Sequence, residues 1–450
     1  MHDLIVVGAG PGGYEAAAHA GRLGMRVALI EEGPIGGVCL NVGCIPAKAF
    51  LRSSHLYREC GEAEAYGVRV ADRSFDAAVV VERKNRIVAT LTRGVERLLS
   101  SSGVEVMHGH GRIAARDRVA VDGEVLETTH LLVATGARVA TPPIPGIAAE
   151  TVLTSDTVFD LAEVPESVAI IGGGYIGLEL ATYFCDVGSR VTVFEMLPQV
   201  AGGCDVDVSA GLLQALQRRG VTFHLSCRVR EVSAHAVHYA DAAGDEKRES
   251  AERILNATGR APRVEGFGLE ELGVDCSPRG VRVGPDGRTN VAGVWACGDV
   301  TGEHMLAHIA TREGIVAVNA MFGRPDRSRY DAMPAVIYTH PEVSMVGRTE
   351  AQLSAAGIAY RKAMVPMGMA GRFLIEHERE RGFVKVLVGD PRGEILGVHA
   401  LGDASSEFIV AAAALIEADV PAERAAEVVF PHPTVSEALR EAILEARRKP

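Results

Sequence analysis

One glycine-rich pattern occurs twice in this 450-residue chain, and the repeat limits the fold more than any other feature of the sequence. Leu4–Gly13 and Val168–Gly177 are each a short apolar run followed by G-x-G-x-x-G. An apolar strand that leads through these glycines into a helix is typical of a dinucleotide-binding βαβ unit. The glycines of the two copies are Gly8, Gly10 and Gly13, and Gly172, Gly174 and Gly177.

An acidic residue follows each glycine motif at the same distance. A predicted helix (Tyr14–Leu23 or Leu178–Val187) leads to a second strand, and the acids Glu31 and Glu195 lie 23 residues after the first glycine of their copies. About 20 residues is the spacing expected for a carboxylate that accepts hydrogen bonds from a ribose. The glycines allow close approach of a pyrophosphate to the helix N-terminus. Each copy therefore predicts a nucleotide site.

Each copy also ends in the tripeptide Ala-Thr-Gly. A predicted strand precedes both Ala134–Gly136 and Ala257–Gly259. A turn of small residues at this place lets the backbone lie against a bound nucleotide. One G-x-G-x-x-G alone is weak evidence, because glycine-rich turns are common. Two copies with matched acids and matched turns predict two nucleotide-binding domains in series.

Two of the eight cysteines, Cys39 and Cys44, lie close together in an insertion of the first copy. A close pair among glycines indicates a redox-active or a metal-binding site. A helix N-terminus lowers a thiol pKa, and strain makes a disulfide easier to reduce. A zinc site needs about four ligands, and no second Cys or His pair stands at ligand spacing, so we predict no metal site. Two buried, inert thiols are a third interpretation.

Charge and hydropathy exclude two classes of partner. The net charge of −12 argues against a general nucleic-acid binder, which needs a basic face. No apolar run approaches the roughly 18 residues of a membrane span. The first strand begins near Asp3 and leaves no room for a signal peptide, so we expect a cytoplasmic protein.

The insertion carries a family motif. Gly36–Lys48 reads GGVCLNVGCIPAK and resembles the GGxCxNxGCxPxK motif of class I pyridine nucleotide–disulfide oxidoreductases. The resemblance continues in order through GGGYIGLE at 172–179, ATGRAP at 257–262, ACGDV at 296–300, MLAH at 305–308, PAVIYTHPE at 334–342 and HPTVSE at 432–437. It therefore covers the whole chain and is highly specific.

The resemblance implies an α/β fold with two Rossmann-like dinucleotide-binding domains, for FAD and NAD, and a C-terminal α+β dimerisation domain. We place the first part of the FAD domain at 1–143, the NAD domain at 144–267 and a return segment of the FAD domain at 268–332. The dimerisation domain is placed at 333–450. The C-terminal region is read as strands Phe383–Val388 and Ile395–Ala400 with helices Phe408–Glu417 and Val435–Arg447.

The resemblance also implies roles for six catalytic residues. Cys44 is expected next to the flavin and Cys39 is expected to meet the substrate. Lys48 is expected near flavin N5, paired with Glu179. His432 is expected to take the substrate thiol proton while Glu437 orients it. In the family this histidine comes from the other subunit, so an active homodimer is expected.

Further residues are expected to bind the cofactors. Asp299 should hydrogen-bond the ribityl chain of FAD, and Met305–His308 should supply a helix start near the flavin pyrimidine ring. The other cofactor-binding residues expected beside the repeat glycines and acids are Gly37, Lys48, Gly111, Ala134, Thr135, Gly136, Tyr175, Ile176, Gly259, Met305, Leu306, Ala307 and His308. The loop Glu32–Ile35 after the first acid is short for the family and is expected to alter contacts on the adenine side.

The nicotinamide nucleotide and the substrate are inferred within the family. Glu195 favours a free 2′-hydroxyl, and Met196–Pro198 offer no cation for a 2′-phosphate, so NAD is expected. The absence of a cysteine after Cys297 weighs against mercuric reductases, and the cysteine pair weighs against soluble transhydrogenases.

The activity expected is oxidation of dihydrolipoyl groups with reduction of NAD⁺. The expected partner is the lipoyl domain of a 2-oxo-acid dehydrogenase acyltransferase, or a glycine-cleavage carrier protein. An NADH-dependent reductase of another disulfide and a flavoprotein subunit with a mainly structural role are the alternatives.

Overall fold

The computed structural model describes residues 1–448, so Lys449 and Pro450, at the end of the predicted dimerisation domain, lie outside the described residues. Residues 1–143 form most of a seven-stranded sheet and four helices. Their elements are β1 His2–Val7, α1 Pro11–Arg22, β2 Val27–Glu31, α2 Gly37–Asn41, α3 Cys44–Glu62, α4 Ala77–Ser101, β3 Val104–His108, β4 Arg112–Ala115, β5 Arg118–Val121, β6 Glu124–Val133 and β7 Ala137–Val139.

A second unit with the same plan follows. Its elements are β8 Val152–Thr154, β9 Ser167–Ile171, α5 Tyr175–Asp186, β10 Arg190–Phe194, α6 Val206–Arg218, β11 Thr222–His224, β12 Arg228–Ser233, β13 Ala236–Ala240, β14 Glu246–Ser250, β15 Arg253–Asn256 and β16 Arg260–Pro262. The chain then returns to the first unit through β17 Cys276–Ser277, β18 Gly280–Val281, β19 Val294–Ala296 and α7 Ala307–Met321.

The two sheets show that the sequence repeat is a structural repeat. The first has the order β3-β2-β1-β6, with β19 beside β6, and the second has the order β11-β10-β9-β15-β8. All of these neighbours pair in parallel. The strands are buried on both faces by helices and meanders, which explains their continuous apolar sequences. Strand β16 pairs with β7 and links the two units.

The C-terminal region is built on a five-stranded antiparallel sheet in the order β20-β21-β24-β23-β22. Its elements are β20 Ala335–Ile337, β21 Val343–Gly347, α8 Glu350–Ala355, β22 Tyr360–Pro366, α9 Gly371–Glu376, β23 Phe383–Gly389, β24 Ile395–Leu401, α10 Ser405–Glu417, α11 Ala422–Ala425 and α12 Glu437–Arg448. One apolar core joins this sheet to α10, α11 and α12.

The observed helix boundaries differ by a few residues from those predicted from the sequence. Helices α1 and α5 begin three residues early, at Pro11 and Tyr175, because the middle glycine of each motif is the N-cap. Pro11 fits the first helical position, where no backbone N–H is needed. Within residues 1–448 we find no helix with the length and apolar character that a membrane crossing demands.

Candidate active site

A cavity of about 1270 Å³ runs across the ends of both parallel sheets. It is lined by the glycine loops of both repeats and by Cys39, Cys44 and Lys48. The ends of parallel strands, where helices start, are the general place for ligands in such folds. The sequence predictions for two nucleotide sites and for the cysteine pair therefore meet in one continuous space.

The glycine loops have the backbone shape that a dinucleotide needs. The first glycines, Gly8 and Gly172, have φ of +105° and +112°, and a Cβ on either would lie within 2.3 Å of a backbone oxygen in the A-T-G turn. A Cβ on the second glycines, Gly10 or Gly174, would meet no atom within 4 Å. The second glycines thus border open space, as close approach of a pyrophosphate requires.

The two helices that follow these loops begin without a side-chain cap. Gly10 and Gly174 are the N-caps of α1 and α5, and neither helix start has a side-chain hydrogen bond. The first N–H groups of a helix have no partner inside the helix, and they carry the positive end of its dipole. Both helix starts are therefore suited to bind pyrophosphate oxygens.

The acids of the two repeats make the same backbone contacts. Glu31 accepts hydrogen bonds from the N–H groups of Ala9 (2.6 Å) and Gly33 (2.7 Å). Glu195 accepts them from Gly173 and Leu197, both at 2.7 Å. These bonds fix each carboxylate at the end of its strand. Because each oxygen has a second lone pair, both acids can still accept from ribose hydroxyls.

The return segment completes the first nucleotide site. Asp299 lines the cavity, and burial raises the pKa of its carboxyl group. No side chain of residues 1–447 and no backbone N–H of residues 1–448 donates to this carboxylate, which leaves it available to a ribityl hydroxyl. Met305, Leu306 and Ala307 also line the cavity, and α7 starts at Ala307. His308 does not line the cavity, and its Nε2 contacts Pro334 O at 2.7 Å.

The cysteine pair spans two helices. Cys39 lies in the short α2, whereas Cys44 is the first residue of the 19-residue α3. Gly43 lies between the two helices and separates the cysteines. Gly37 holds the segment against the first repeat, since a Cβ there would lie 2.7 Å from Gly10 Cα. Asn41 Nδ2 donates to Gly37 O and so fixes the turn.

The two thiols differ in acidity. A hydrogen bond from the Cys39 thiol to the Cys44 sulfur lowers the pKa of Cys44, and the charge of Lys48 lowers it further against the effect of burial. The same hydrogen bond and burial raise the pKa of Cys39. The helix start at Cys44 also favours an anion. Cys44 is therefore the more acidic thiol of the reduced pair.

Lys48 and Glu179 meet at the junction of the two repeats. Lys48 Nζ donates to both carboxylate oxygens of Glu179, at 3.0 and 2.8 Å. Tyr338, which the sequence analysis quoted only as part of a motif, completes this contact. Its N–H donates to Glu179 at 3.0 Å, and Lys48 Nζ lies 4.4 Å from its ring centroid. Three separate parts of the chain thus hold the ammonium group beside the cysteines.

His432 and Glu437 pair with each other, away from the cavity. His432 Nδ1 lies 3.0 and 3.2 Å from the two carboxylate oxygens of Glu437, and the N–H of Thr434 also donates to that carboxylate. The His432 side chain is 78% exposed. Neither residue lines the cavity of its own chain. Within one chain, His432 therefore lies outside the cavity that contains the cysteine pair.

The sequence analysis did not predict several charged residues that lie near the nucleotide sites. Arg228 and Arg230 line the cavity with Glu195, and the N–H of Cys227 donates to Glu195 O. They lie on β12, far along the chain from the acid, so only the fold brings them there. In the loop after Glu31, Glu32 accepts from Arg263 and contacts His110 Nδ1 at 2.7 Å.

Two protein-family models match this chain. A family model described as pyridine nucleotide-disulphide oxidoreductase matches residues 2–314, and a model described as the dimerisation domain of the same family matches residues 333–443. The chain belongs to the pyridine nucleotide-disulphide oxidoreductase family. It is therefore an oxidoreductase, and its C-terminal region is the dimerisation domain of the family.

Curated relatives of this oxidoreductase match over nearly their whole length. Dihydrolipoyl dehydrogenase 3 of Pseudomonas aeruginosa is 40% identical over 459 residues, which cover 99% of this chain and 97% of the relative. The mitochondrial dihydrolipoyl dehydrogenase of Pisum sativum is 36% identical, with 100% and 92% covered. Leghemoglobin reductase of Glycine max is 35% identical, with 100% and 88% covered.

Solved structures of the family agree with the fold. LpdA from Mycobacterium tuberculosis superposes with a TM-score of 0.89, and the HOCl-induced flavoprotein disulfide reductase RclA from Escherichia coli with 0.87. Each is 26% identical, and each match covers 98% of this chain and 99% of the solved chain. The predicted fold class, enzyme class and cofactors FAD and NAD are thereby confirmed. The domain boundaries and the roles of individual residues remain predictions.

Proposed function

We propose that this oxidoreductase is a dihydrolipoyl dehydrogenase, which oxidises protein-bound dihydrolipoyl groups and reduces NAD⁺. The observation that carries the proposal is the cysteine pair in the shared cavity, with Cys44 at a helix start beside Lys48. Relatives at 35–40% identity over the full chain carry the name dihydrolipoyl dehydrogenase. The proposed partner is a lipoyl domain of a 2-oxo-acid dehydrogenase or a glycine-cleavage carrier protein.

The first half-reaction is a thiol–disulfide exchange. We assign His432 of the partner subunit to remove a proton from one substrate thiol. That sulfur attacks Cys39 Sγ, the bond between Cys39 and Cys44 breaks, and Cys44 leaves as a thiolate. The second substrate sulfur then displaces Cys39, which is protonated. The products are lipoyl disulfide, a Cys39 thiol and a Cys44 thiolate, in agreement with the acidity order of the two thiols.

The second half-reaction returns the pair to the disulfide. When bound, FAD supplies the two-electron carrier between the Cys44 sulfur and NAD⁺. The glycine loops and uncapped helix starts bind the two pyrophosphates, and Asp299 orients the ribityl chain. The cysteine pair is half-buried at the wall of the cavity. Overall, the dithiol and NAD⁺ yield the disulfide, NADH and one proton.

The position of His432 supports the homodimer as the active form. Its high exposure and its absence from the cavity of its own chain fit a contribution across the subunit interface. The neighbouring carboxylate Glu437 fixes the proton on Nδ1 and leaves Nε2 as the base. A cytoplasmic location remains a prediction from the sequence.

A substrate comparison tests the proposal. Purified FAD-containing enzyme is assayed with dihydrolipoamide and NAD⁺, and in the reverse direction with NADH and a panel of disulfides. We expect dihydrolipoamide and lipoamide to give kcat/KM values at least about 100-fold above the other thiols and disulfides. The similarity to a solved flavoprotein disulfide reductase gives the alternative its support. Preference for another disulfide in the panel would establish that alternative.

A pull-down addresses the mainly structural alternative. The enzyme and its Cys44→Ser variant are compared for retention by a lipoyl-domain protein. If the role is mainly structural, the unmodified protein and the Cys44→Ser variant would be retained equally well, and the unmodified protein would show no turnover with dihydrolipoamide. Turnover that depends on Cys44 would exclude a purely structural role.

A further inference from the structure

Three histidines and two acids form a cluster outside the flavin–nucleotide cavity. They come from separate parts of the chain: helix α3, the loop after β20, the segment after α9 and the loop after β24. Two groups of three share one acid, and within each group the ligand atoms lie within 4.8 Å of one another. The residues are His55, His340, His377, Glu380 and Asp403, and none of them lines the cavity.

His55 has the hydrogen-bonding state of a metal ligand. Its Nε2 lies 3.1 Å from a carboxylate oxygen of Glu59, whereas its Nδ1 is buried and has no hydrogen-bond partner. A carboxylate on one ring nitrogen holds the proton there and leaves a lone pair on the other nitrogen.

His340 and Asp403 complete a group of three with His55. The rings of His55 and His340 stack with centroids 3.7 Å apart. His340 Nδ1 lies 3.1 Å from Asp403 Oδ2, and the Asp403 residue is only 5% exposed. His55 and His340 are half-buried, so an ion can reach the group from solvent.

A second acidic cluster in the same molecule gives a contrast. Asp205, Asp207 and Glu350 also lie at ligand distance, but the buried ammonium of Lys385 contacts all three, at 2.6 to 3.0 Å. That cluster already contains its cation.

The Asp403 cluster contains no such lysine among residues 1–448. The nearby arginines Arg58 and Arg219 each form an ion pair with the buried carboxylate of Asp186.

We propose that His55, His340 and Asp403 bind a divalent transition-metal ion of the Zn²⁺ class. Two imidazole nitrogens and one carboxylate oxygen are a common ligand set for such ions, with a fourth position left for water. The ion replaces the proton between His340 and Asp403, so binding releases a proton. It ties helix α3, whose first residue is Cys44, to the C-terminal domain. Spacing along the sequence could not reveal this site, because His55 and His340 are 285 residues apart and His340 and Asp403 are 63 residues apart.

Calorimetric titration with Zn²⁺ alone tests the site. The protein is the chelator-treated, FAD-containing Cys39→Ser/Cys44→Ser double variant, so that the active-site thiols bind no zinc. We expect one ion per subunit, with an enthalpy that varies with the ionisation enthalpy of the buffer because a proton is released. In this background, His55→Gln and Asp403→Asn should each weaken binding by at least about 100-fold, and Glu59→Gln by about 10-fold.

His238→Gln is the control, because His238 lies on β13 in another domain and should leave the affinity unchanged. If Asp403→Asn fails to fold, His55→Gln and Glu59→Gln decide the question, since both residues are on one surface helix. The proposal is overturned if the parent protein binds no zinc. It is also overturned if His55→Gln binds zinc as tightly as the parent does.

Discussion

Lys48 Nζ lies 2.8 Å from Glu179 Oε2, and this ion pair joins the helix that starts at Cys44 to the first helix of the second repeat. Glu179 is buried, whereas the Lys48 side chain is one-third exposed. The pair fixes the position of a positive charge beside two thiols of unequal acidity. Removal of that charge is therefore a direct test of the electrostatics of the site.

We expect Lys48→Met to raise the pKa of both cysteine thiols in the reduced enzyme. The charge of Lys48 lowers the pKa of Cys39 and of Cys44. Since the Cys44 thiolate exists above its pKa, it should disappear at a higher pH in the variant as the pH falls. The thiolate absorbance in the ultraviolet measures this titration. Lys247→Met, at an exposed lysine far from the site, is the control, and superimposable curves for Lys48→Met would contradict the assignment.

Cys44→Ser should abolish lipoamide turnover but leave FAD bound. Without the Cys44 sulfur the exchange has no leaving group, whereas the glycine loops and Asp299 that hold the flavin are untouched. Reduction of artificial acceptors by NADH should persist, because it needs no thiol. Cys60→Ser on the same helix, outside the cavity, serves as the matched control. Retention of lipoamide turnover by Cys44→Ser would refute the thiol role.

Mixing two inactive variants tests whether His432 acts across the subunit interface. His432→Gln alone should reduce kcat by about 100-fold or more, the usual effect of losing a proton-transfer group. When His432→Gln and Cys44→Ser subunits are dissociated and reassembled together, each mixed dimer contains one site with both intact residues if the histidine acts in trans. Activity should then return to about a quarter of the unmodified level. If His432 acts within its own chain, the mixture stays inactive.

Glu195→Gln should raise KM for NAD⁺ by about 10-fold and reduce discrimination against NADP⁺. The lost carboxylate removes a ribose hydrogen bond, worth about 1.5 kcal/mol for a charged acceptor. Arg228, which lines the same cavity, is then available to a 2′-phosphate. Steady-state kinetics with both nucleotides measure the ratio. Addition of Arg228→Ala should abolish the gain with NADP⁺, and an unchanged KM for NAD⁺ in Glu195→Gln would count against the ribose assignment.

Lys385→Met should destabilise the protein by about 3–5 kcal/mol at neutral pH, because it leaves three carboxylates around an apolar side chain. Burial raises the pKa of Glu350, but hydrogen bonds from Lys362 and Lys385 outweigh it and bring the pKa to about 2. A depressed pKa stabilises the fold above the ordinary value of 4.5 and ceases to do so as pH falls towards 2. Urea unfolding should thus show the deficit shrinking over that range.

The control for this prediction is Lys362→Met, whose lysine contacts the same acid from the protein surface. Its effect should be below about 1 kcal/mol. Equal losses for the two variants would show that burial of Lys385 is not what makes it important.

The sequence predicted those features that depend on a local pattern of residues, namely the buried strands, the glycine turns and the cysteine motif. The strands that lead to Glu31 and Glu195 could be predicted because parallel strands are buried on both faces and are therefore continuously apolar. The spacing of the glycines predicted the turns. The motif around Cys44 and Lys48 gave the chemistry through resemblance. Helix starts were missed by a few residues because caps supplied by glycine have no side-chain signature.

Contacts between distant segments could not be predicted from patterns. Arg228 lines the same cavity as Glu195 because the fold brings the neighbouring Cys227 N–H to the backbone oxygen of Glu195. Tyr338 reaches Lys48 only because the dimerisation domain packs on the first two domains. The Lys385 and Asp403 clusters likewise assemble residues from separate domains or segments. Such sites depend on packing between elements, which no periodicity records.

Anaerobic titration of the FAD-containing enzyme with dihydrolipoamide tests the central claim most directly. The account predicts that one equivalent per subunit produces a long-wavelength absorbance band, absent from Cys44→Ser, and that added NAD⁺ removes the band and forms one equivalent of NADH. An enzyme whose spectrum does not change with dihydrolipoamide, and which forms no NADH, would contradict the account.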